Sequence, residues 1–217
     1  YQSATLEARG ASAWIPDVWA QLLWEPRYQS SLRLEVEAVG IFGDIEHVAS
    51  PSDGATGCFS AEQRSSDACK SRARKIRQYG LAFESEYRHN KLLSFGLYSG
   101  FASGRNNFGF QLNDGAVDPL DPPSNFKFDR DYHVDMILFR EIIGSVTNAT
   151  YVKPWIQFDF WTRNKDTFGF RFDAIYSAAH KAAATPGGER TLGLEFDGLL
   201  FYREHEKFQA DIGYGLL

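Results

Sequence analysis

The chain of 217 residues is acidic, with a net charge of −5, and 43% of its residues are hydrophobic and 15% aromatic. Because nucleic-acid-binding surfaces carry a clustered positive excess, this balance argues against a nucleic-acid partner. No apolar run is long enough for a membrane-spanning helix. That criterion does not detect a membrane-crossing strand, since only half of the residues of such a strand face lipid.

Two strands are predicted in the first part of the chain, because apolar and polar residues alternate there and successive strand side chains point to opposite faces. The first strand covers 14–24. The second places Leu32, Leu34, Val36 and Ala38 on one face and Arg33, Glu35 and Glu37 on the other. Its alternation slips at 39–42, where Gly40 and Gly43 indicate a bulge or the end of the strand.

Residues 44–75 show no period and are rich in Gly, Ser and Asp, which predicts a long loop. It contains Cys58 and Cys69, whose spacing suits a disulfide in an oxidising compartment, with two free thiols as the alternative. Basic residues cluster at the end of this loop. We expect them to form a solvated loop stem or, as the alternative, a patch that binds the lipid A phosphates of lipopolysaccharide. They are Lys70, Arg72, Arg74, Lys75 and Arg77.

The middle of the chain predicts a hairpin, a loop and a further strand. The hairpin covers 79–101, with a tight turn at His89 and Asn90, and the loop covers 104–125. Alternation resumes at 126–139 and predicts a strand. Its polar residues, all expected to face the lumen of a barrel, are Asp129, Asp131, His133 and Asp135.

The clearest alternation occupies 151–217, in four runs of about a dozen residues. These exceed the usual globular strand and match the roughly nine to eleven residues that a tilted strand needs to cross a bilayer. Their polar faces carry charges of both signs, which a water-filled lumen tolerates and a packed core does not. The sequence therefore predicts an all-β fold, an antiparallel transmembrane β-barrel of up-and-down meander topology. A soluble β-sandwich or calycin-like barrel is the alternative.

The predicted strand count is nine, whereas bacterial single-chain barrels close with an even number. We therefore expect 1–217 to be a single outer-membrane β-barrel domain, the C-terminal part of a longer chain and a segment of a larger barrel, unless one strand was missed. With the loops 44–75 and 104–125 facing outward, the strand count places the connections 140–150 and 185–188 on the opposite side of the membrane.

The charged residues of the predicted lumen form the candidate site. Acidic residues outnumber basic ones, which favours cations, and the interspersed basic residues create a transverse field that orients polar solutes. The candidate selectivity residues are Asp129, Asp131, His133, Asp135, Lys153, Asp159, Arg171, Asp173, Glu195 and Asp197. Trp155 and Trp161, on the same predicted face, suit sugar stacking or, as the favoured interpretation, anchoring at the membrane interface.

The acid and histidine set at 129–135 also has the residue types with which outer-membrane proteases activate water. Those proteases place their pairs on different strands, whereas here all four residues share one predicted strand, so a lumen-lining role is favoured. No nucleophile elbow, phosphate-binding loop, EF-hand or paired-cysteine motif occurs. The sequence therefore predicts no enzyme, no cofactor and no metal site.

Two stretches resemble known proteins. The ending 211–216 is similar to the C-terminal assembly signal of outer-membrane barrels, without its closing aromatic residue. The second half of the chain contains the motifs Asp131-Tyr-His-Val-Asp135, Leu138-Phe-Arg140-Glu141-Ile-Ile-Gly144, Tyr151-Val-Lys153-Pro154 and Leu192-Gly-Leu-Glu195-Phe-Asp197. With these motifs it resembles an uncharacterised family of outer-membrane β-barrel proteins of myxobacteria and their relatives, and more weakly alginate-export-type porins. The resemblance implies a Gram-negative outer-membrane location and a barrel fold, but no activity.

From these features we expect a passive outer-membrane channel, in contact with outer-membrane lipid and lipopolysaccharide, for small polar or cationic solutes. The first alternative is a structural barrel with a plugged pore, which forms a homo-oligomer or binds a protein partner in an outer-membrane complex. The second is a barrel hydrolase that uses the acid and histidine set at 129–135.

Overall fold

The computed structural model describes residues 11–45, 74–105, 124–163, 166–185, 187–204 and 207–217. In this part of the chain, nine strands form one antiparallel sheet, which confirms the predicted all-β meander. The strands are β1 (Ala11–Trp14), β2 (Asp17–Arg27), β3 (Ser30–Ile45), β4 (Arg74–Arg88), β5 (Leu93–Ala102), β6 (Ala149–Arg163), β7 (Asp166–Ala179), β8 (Thr191–Glu204) and β9 (Phe208–Leu216). The described helices, a π-helix at Leu138–Ile143 and a 3₁₀ turn at Ala182–Ala184, are too short to cross a membrane.

The first predicted strand is interrupted once, so that β1 and β2 share a single position beside β3. The register runs from Trp14 opposite Phe42 to Asp17 opposite Val39 without an offset. Pro16 lies in the gap, and proline has no N–H to give to the ladder. Nine strands therefore fill eight positions, and in the described residues the sheet is open between β9 and the position of β1 and β2.

The prediction of a bulge or a strand end at Gly40 and Gly43 is wrong. β3 runs unbroken for 16 residues and pairs with β4 in continuous register. Val39 lies two residues from Glu37 and six from Arg33 along the strand, and hence on the same face, but it lines a hollow with Phe126 and Phe128. Because aromatic side chains cover the sheet at this point, both faces of β3 are apolar there and the alternation disappears.

The predicted strand at 126–139 is also wrong. This stretch makes one isolated bridge, between Lys127 and Thr147, and then enters the π-helix. It belongs to a segment, 124–148, that crosses one face of the sheet and that we call the inner segment. Its apolar side chains alternate because they meet the sheet rather than lipid. Val134, Leu138 and Phe139 are buried there, and Phe126 packs over Gly80 so closely that the glycine has no room for a Cβ.

Removing this strand from the count corrects the predicted topology. The links between β2 and β3, β4 and β5, β6 and β7, and β8 and β9 are all short and lie at one end of the sheet, the short-turn end. The three long connections, after β3, β5 and β7, leave from the other end. The connections that contain 140–150 and 185–188 therefore leave the sheet from the same end as the connection after β3, and the prediction that put them on the opposite side is wrong.

The two faces of the sheet differ in an unusual way. On the face under the inner segment, the inner face, Lys153 and Trp155 of β6 are 9% and 7% exposed. On the outer face, Phe158 and Phe160 of the same strand are 41% and 61% exposed. The pattern continues across the sheet with one exposed apolar residue after another on β4 to β9, among them Leu81, Phe95, Phe172, Phe196 and Ile212.

The sheet curls around its inner face. Arg33 of β3 and Arg203 of β8 line one hollow of about 280 Å³. Five strand spacings separate these strands, which is roughly 24 Å along a flat sheet. Long side chains from both strands meet across a hollow of that size only if the sheet bends strongly, as the wall of a barrel does.

Candidate functional site

The structure places the ten candidate lumen residues in two groups. Six lie on the inner face of the sheet: Lys153, Asp159, Arg171, Asp173, Glu195 and Asp197. The other four lie on the inner segment rather than on a wall strand. Of these, Asp129, Asp131 and His133 are exposed, and only Asp135 is buried.

Glu195 of β8 fastens the inner segment to the sheet. Its side chain is 1% exposed, and its two oxygens accept the backbone N–H groups of Met136, Ile137 and Leu138 at 3.0, 2.8 and 3.0 Å. Asp197 accepts the Met136 N–H as well, at 3.2 Å. Because several N–H groups of the inner segment bond to buried carboxylates of β8, this contact holds the start of the π-helix on the sheet.

Asp135 caps the same helix from within the inner segment. Its carboxylate accepts the N–H groups of Phe139 at 2.9 Å and Arg140 at 3.1 Å. Burial raises the pKa of Asp135 above its usual range, and the nearby charge of Glu195 acts in the same direction. The inner segment is thus held by three buried carboxylates clustered at one helix terminus.

Lys153 and Arg171 supply the positive charge beneath the inner segment. The Lys153 ammonium donates to the carbonyl oxygen of Val134 at 2.5 Å and lies 3.4 Å from Asp173. Arg171 forms an ion pair with the same carboxylate, at 2.8 Å, and stacks over the ring of Trp155 at 4.2 Å. These contacts fix Arg171 in one orientation on the wall.

A second charged cluster joins β3 to β4 and to the inner segment. Arg33 contacts the carboxylates of Glu35, Glu84 and Glu86 at 2.6, 2.8 and 3.0 Å. The Tyr132 hydroxyl donates to Glu84 at 3.1 Å and lies 2.9 Å from the hydroxyl of Tyr151. The alternation predicted Arg33 and Glu35 on the polar face of their strand, but no sequence signal identified their partners on the neighbouring strand and the inner segment.

The part of the inner face near the short-turn end is open. Two adjoining hollows, of about 280 and 390 Å³, share Arg88, Gln157 and Arg203 in their lining. Trp155 and Arg171 close the first hollow toward the inner segment, and Thr162 and Thr167 line the second. We call the pair the polar hollow. It is large enough for a small polar solute.

The remaining candidate features are not brought together. Trp161 pairs with Phe168 after a bulge between Asp159 and Trp161, and so lies on the outer face, away from Trp155. In the described residues no hydrogen bond joins His133 to a carboxylate, and Asp129 instead accepts the N–H of Asp131 at 2.8 Å in a turn.

Within the described ranges, no group of three His, Cys, Asp or Glu side chains is arranged for a metal ion. Cys58, Cys69, Lys70 and Arg72 lie outside the described residues. The predicted disulfide and the lipid A patch therefore stay predictions.

No protein-family model matches the sequence, and neither a curated protein nor a solved structure matches it. The resemblance to the myxobacterial barrel family stays a prediction. The site itself combines a curled wall, an inner segment bound to that wall, and a polar hollow.

Proposed function

We propose that the chain forms the wall of a β-barrel in the outer membrane of a Gram-negative bacterium, and that its lumen, narrowed by the inner segment, passes small polar solutes. The observation that carries this proposal is the inverted placement of side chains: aromatic residues lie bare on the outer face, and ion pairs lie buried on the inner face. In a bilayer, the outer face meets hydrocarbon and the inner face encloses a polar lumen.

The outer face supports a lipid environment on energetic grounds. Apolar surface left in water costs about 25 cal/mol per Å², and the largest apolar patch of a typical soluble monomer is about 300–600 Å². Here exposed aromatic or aliphatic side chains continue over six neighbouring strands, β4 to β9. Those strands have 9 to 15 residues, enough for the roughly nine to eleven that cross a bilayer.

The connections support the same environment. Outer-membrane barrels have short turns at one end and long loops at the other. The described sheet has four short links at one end and three long connections at the opposite end. A soluble sandwich also alternates its connections, but it covers its apolar face with a second sheet. The described residues contain one sheet, with the inner segment on its polar face.

The charges that face the lumen set what it would pass. Several of the carboxylates behind the predicted cation preference are already engaged, because Glu195 and Asp135 hold backbone N–H groups and Asp173 holds Arg171 and Lys153. We therefore base the proposal on small polar solutes in general. Their preferred charge depends on the groups that stay free along the lumen.

A plugged barrel is the second candidate, and the fastening of the inner segment favours it. Three N–H bonds to the buried Glu195 and the Lys153 bond to Val134 hold the segment across the wall. A segment held in this way narrows the lumen. If other residues fill the space that is left, the lumen is closed. Such a barrel would act through its loops or through a partner rather than by conduction.

Conductance in a planar bilayer separates the two candidates. The full-length protein is reconstituted as the wild type, as Glu195→Ala and as the control Glu189→Ala, which changes an exposed residue outside the inner face. Stable steps from the wild type support the channel. Silence from the wild type with steps from Glu195→Ala supports the plugged barrel. Protein that stays soluble without detergent and shows no heat-modifiable mobility would overturn both.

A further inference from the structure

We infer that the polar hollow is an oxyanion site, which binds a phosphate or carboxylate group of a small solute between Arg88 of β4 and Arg203 of β8. Both guanidinium groups line both parts of the hollow. Because of the curl of the sheet, two arginines that are four strands apart approach one space. This inference deepens the proposed function, since it names a solute class for the proposed lumen.

The acids around the hollow are already engaged. Glu86 accepts hydrogen bonds from Arg33 and from the hydroxyl of Tyr98. Asp159 accepts from Gln157 at 2.9 Å, and Asp211, on the neighbouring β9, accepts from Gln209. Glu86 is paired with Arg33, whereas Asp159 keeps its charge because an amide donor is neutral. The hollow is lined by five basic residues and two carboxylates, so the net charge of its lining is positive.

The cations around the hollow divide into held and free groups. Arg33 and Arg171 are held by carboxylates at 2.6 to 3.0 Å. Arg88, Lys91 and Arg203, which are exposed, form no ion pair with any residue that the structure describes. These three cations have no ion-pair partner among the described residues, and cations exceed carboxylates in the lining of the hollow. The resulting positive potential favours an anion in that space.

The geometry of Arg203 favours an oxyanion over a simple halide. Its guanidinium lies over the ring of the buried Phe201 at 4.5 Å, which leaves its N–H edges free while limiting its orientations. A planar guanidinium donates two parallel N–H bonds to two oxygens of a carboxylate or phosphate. Arg88 provides a second such fork from the opposite wall of the hollow.

Binding is tested on purified full-length protein in detergent at constant ionic strength, by calorimetric titration with inorganic phosphate and, separately, with acetate. We expect saturable binding of at least one probe. Replacing both arginines, Arg88→Gln with Arg203→Gln, should weaken it by about tenfold or more, the loss of one to two charge-assisted contacts. The control Arg190→Gln removes the same charge at the opposite end of the sheet and should leave the affinity unchanged.

Three results would overturn the site: no saturable binding of either probe to folded wild-type protein, equal weakening by the control, or full affinity in the double variant. Heat-modifiable mobility of each variant checks that it has folded. Because the titration needs no conduction, a silent protein that binds phosphate contradicts the channel and not the site. A conducting protein that binds neither probe contradicts the site and not the channel.

Discussion

The carboxylate of Glu195, on β8, accepts the backbone N–H of Ile137 at 2.8 Å, although 58 residues separate the two in the chain. Two further N–H groups of the inner segment share this carboxylate, which is 1% exposed. A single side chain of the wall thus determines where the inner segment crosses the sheet.

Replacing Glu195 should loosen the inner segment without unfolding the sheet. Glu195→Ala leaves the N–H groups of Ile137 and Leu138 without their acceptor, whereas Met136 keeps Asp197. The cost is about 1–3 kcal/mol for each buried group that water does not reach. We expect faster hydrogen exchange at the amides of Ile137 and Leu138, and a smaller change at Met136. Glu195→Gln keeps one acceptor oxygen and should exchange at an intermediate rate. Unchanged exchange in Glu195→Ala would show that the contact does not hold the segment.

Asp135 should make stability depend on pH. Its folded pKa is raised by burial, so its contribution to stability is fully present below the unfolded pKa of about 3.9 and is lost as the pH rises through the folded pKa. Asp135→Asn keeps an acceptor for the Phe139 N–H and removes the ionisation.

We therefore expect the wild type to lose stability relative to Asp135→Asn as the pH rises above about 4, measured by thermal midpoints in detergent. Asp135→Ala, which removes the acceptor, should be less stable than Asp135→Asn by about 1 kcal/mol at every pH. A wild type and an Asn variant with parallel pH profiles would contradict the assignment.

Gly80 should be intolerant of a side chain because Phe126 covers it. Gly80→Ala places a methyl group against that ring, and overpacking of this kind costs about 1–3 kcal/mol. In a double-mutant cycle, the Gly80→Ala and Phe126→Ala pair should be less destabilised than the sum of the single variants. The control is Gly198→Ala, where the new Cβ would meet Phe170 at 3.5 Å, an ordinary contact. Additive effects of the two substitutions would show that Gly80 and Phe126 do not interact.

A charge in the middle of the outer face should prevent stable insertion. Phe172 of β7 stacks on Phe196 of β8, with ring centroids 6.0 Å apart. If this face meets lipid, Phe172→Lys costs about 2–4 kcal/mol near the bilayer midplane and lowers the yield of heat-modifiable protein in vesicles. Thr191→Lys, at the exposed start of β8, should insert normally. A Phe172→Lys protein that is more soluble and equally well folded without detergent would contradict the membrane environment.

The sequence predicted the strands and their polar faces because alternation reports the environment on each side of a strand. It failed at 126–139, since alternating side chains that pack on a sheet leave the same pattern as those that face lipid. It misplaced Trp161 because a one-residue bulge between Asp159 and Trp161 reverses the side on which later residues lie.

The contacts of the site could not be predicted from the sequence, for a different reason. Glu195 binds backbone N–H groups, and these are the same for every residue type. Arg88 and Arg203 share a hollow only because the sheet curls. The excess of acidic residues in the sequence predicted an acidic lumen. Which of those carboxylates are bound by a donor depends on their partners elsewhere in the sheet and the inner segment.

Pro16 also affects whether an even or an odd number of strands can close this sheet into a barrel. Because it interrupts one position and does not create a second, β2 and β9 run in opposite directions. If they pair with each other, or if an even number of further strands joins them, every neighbouring pair is antiparallel. An odd number of added strands would force one parallel pair, with slanted and slightly weaker hydrogen bonds. A residue without a backbone donor thus limits how many strands can complete the ring.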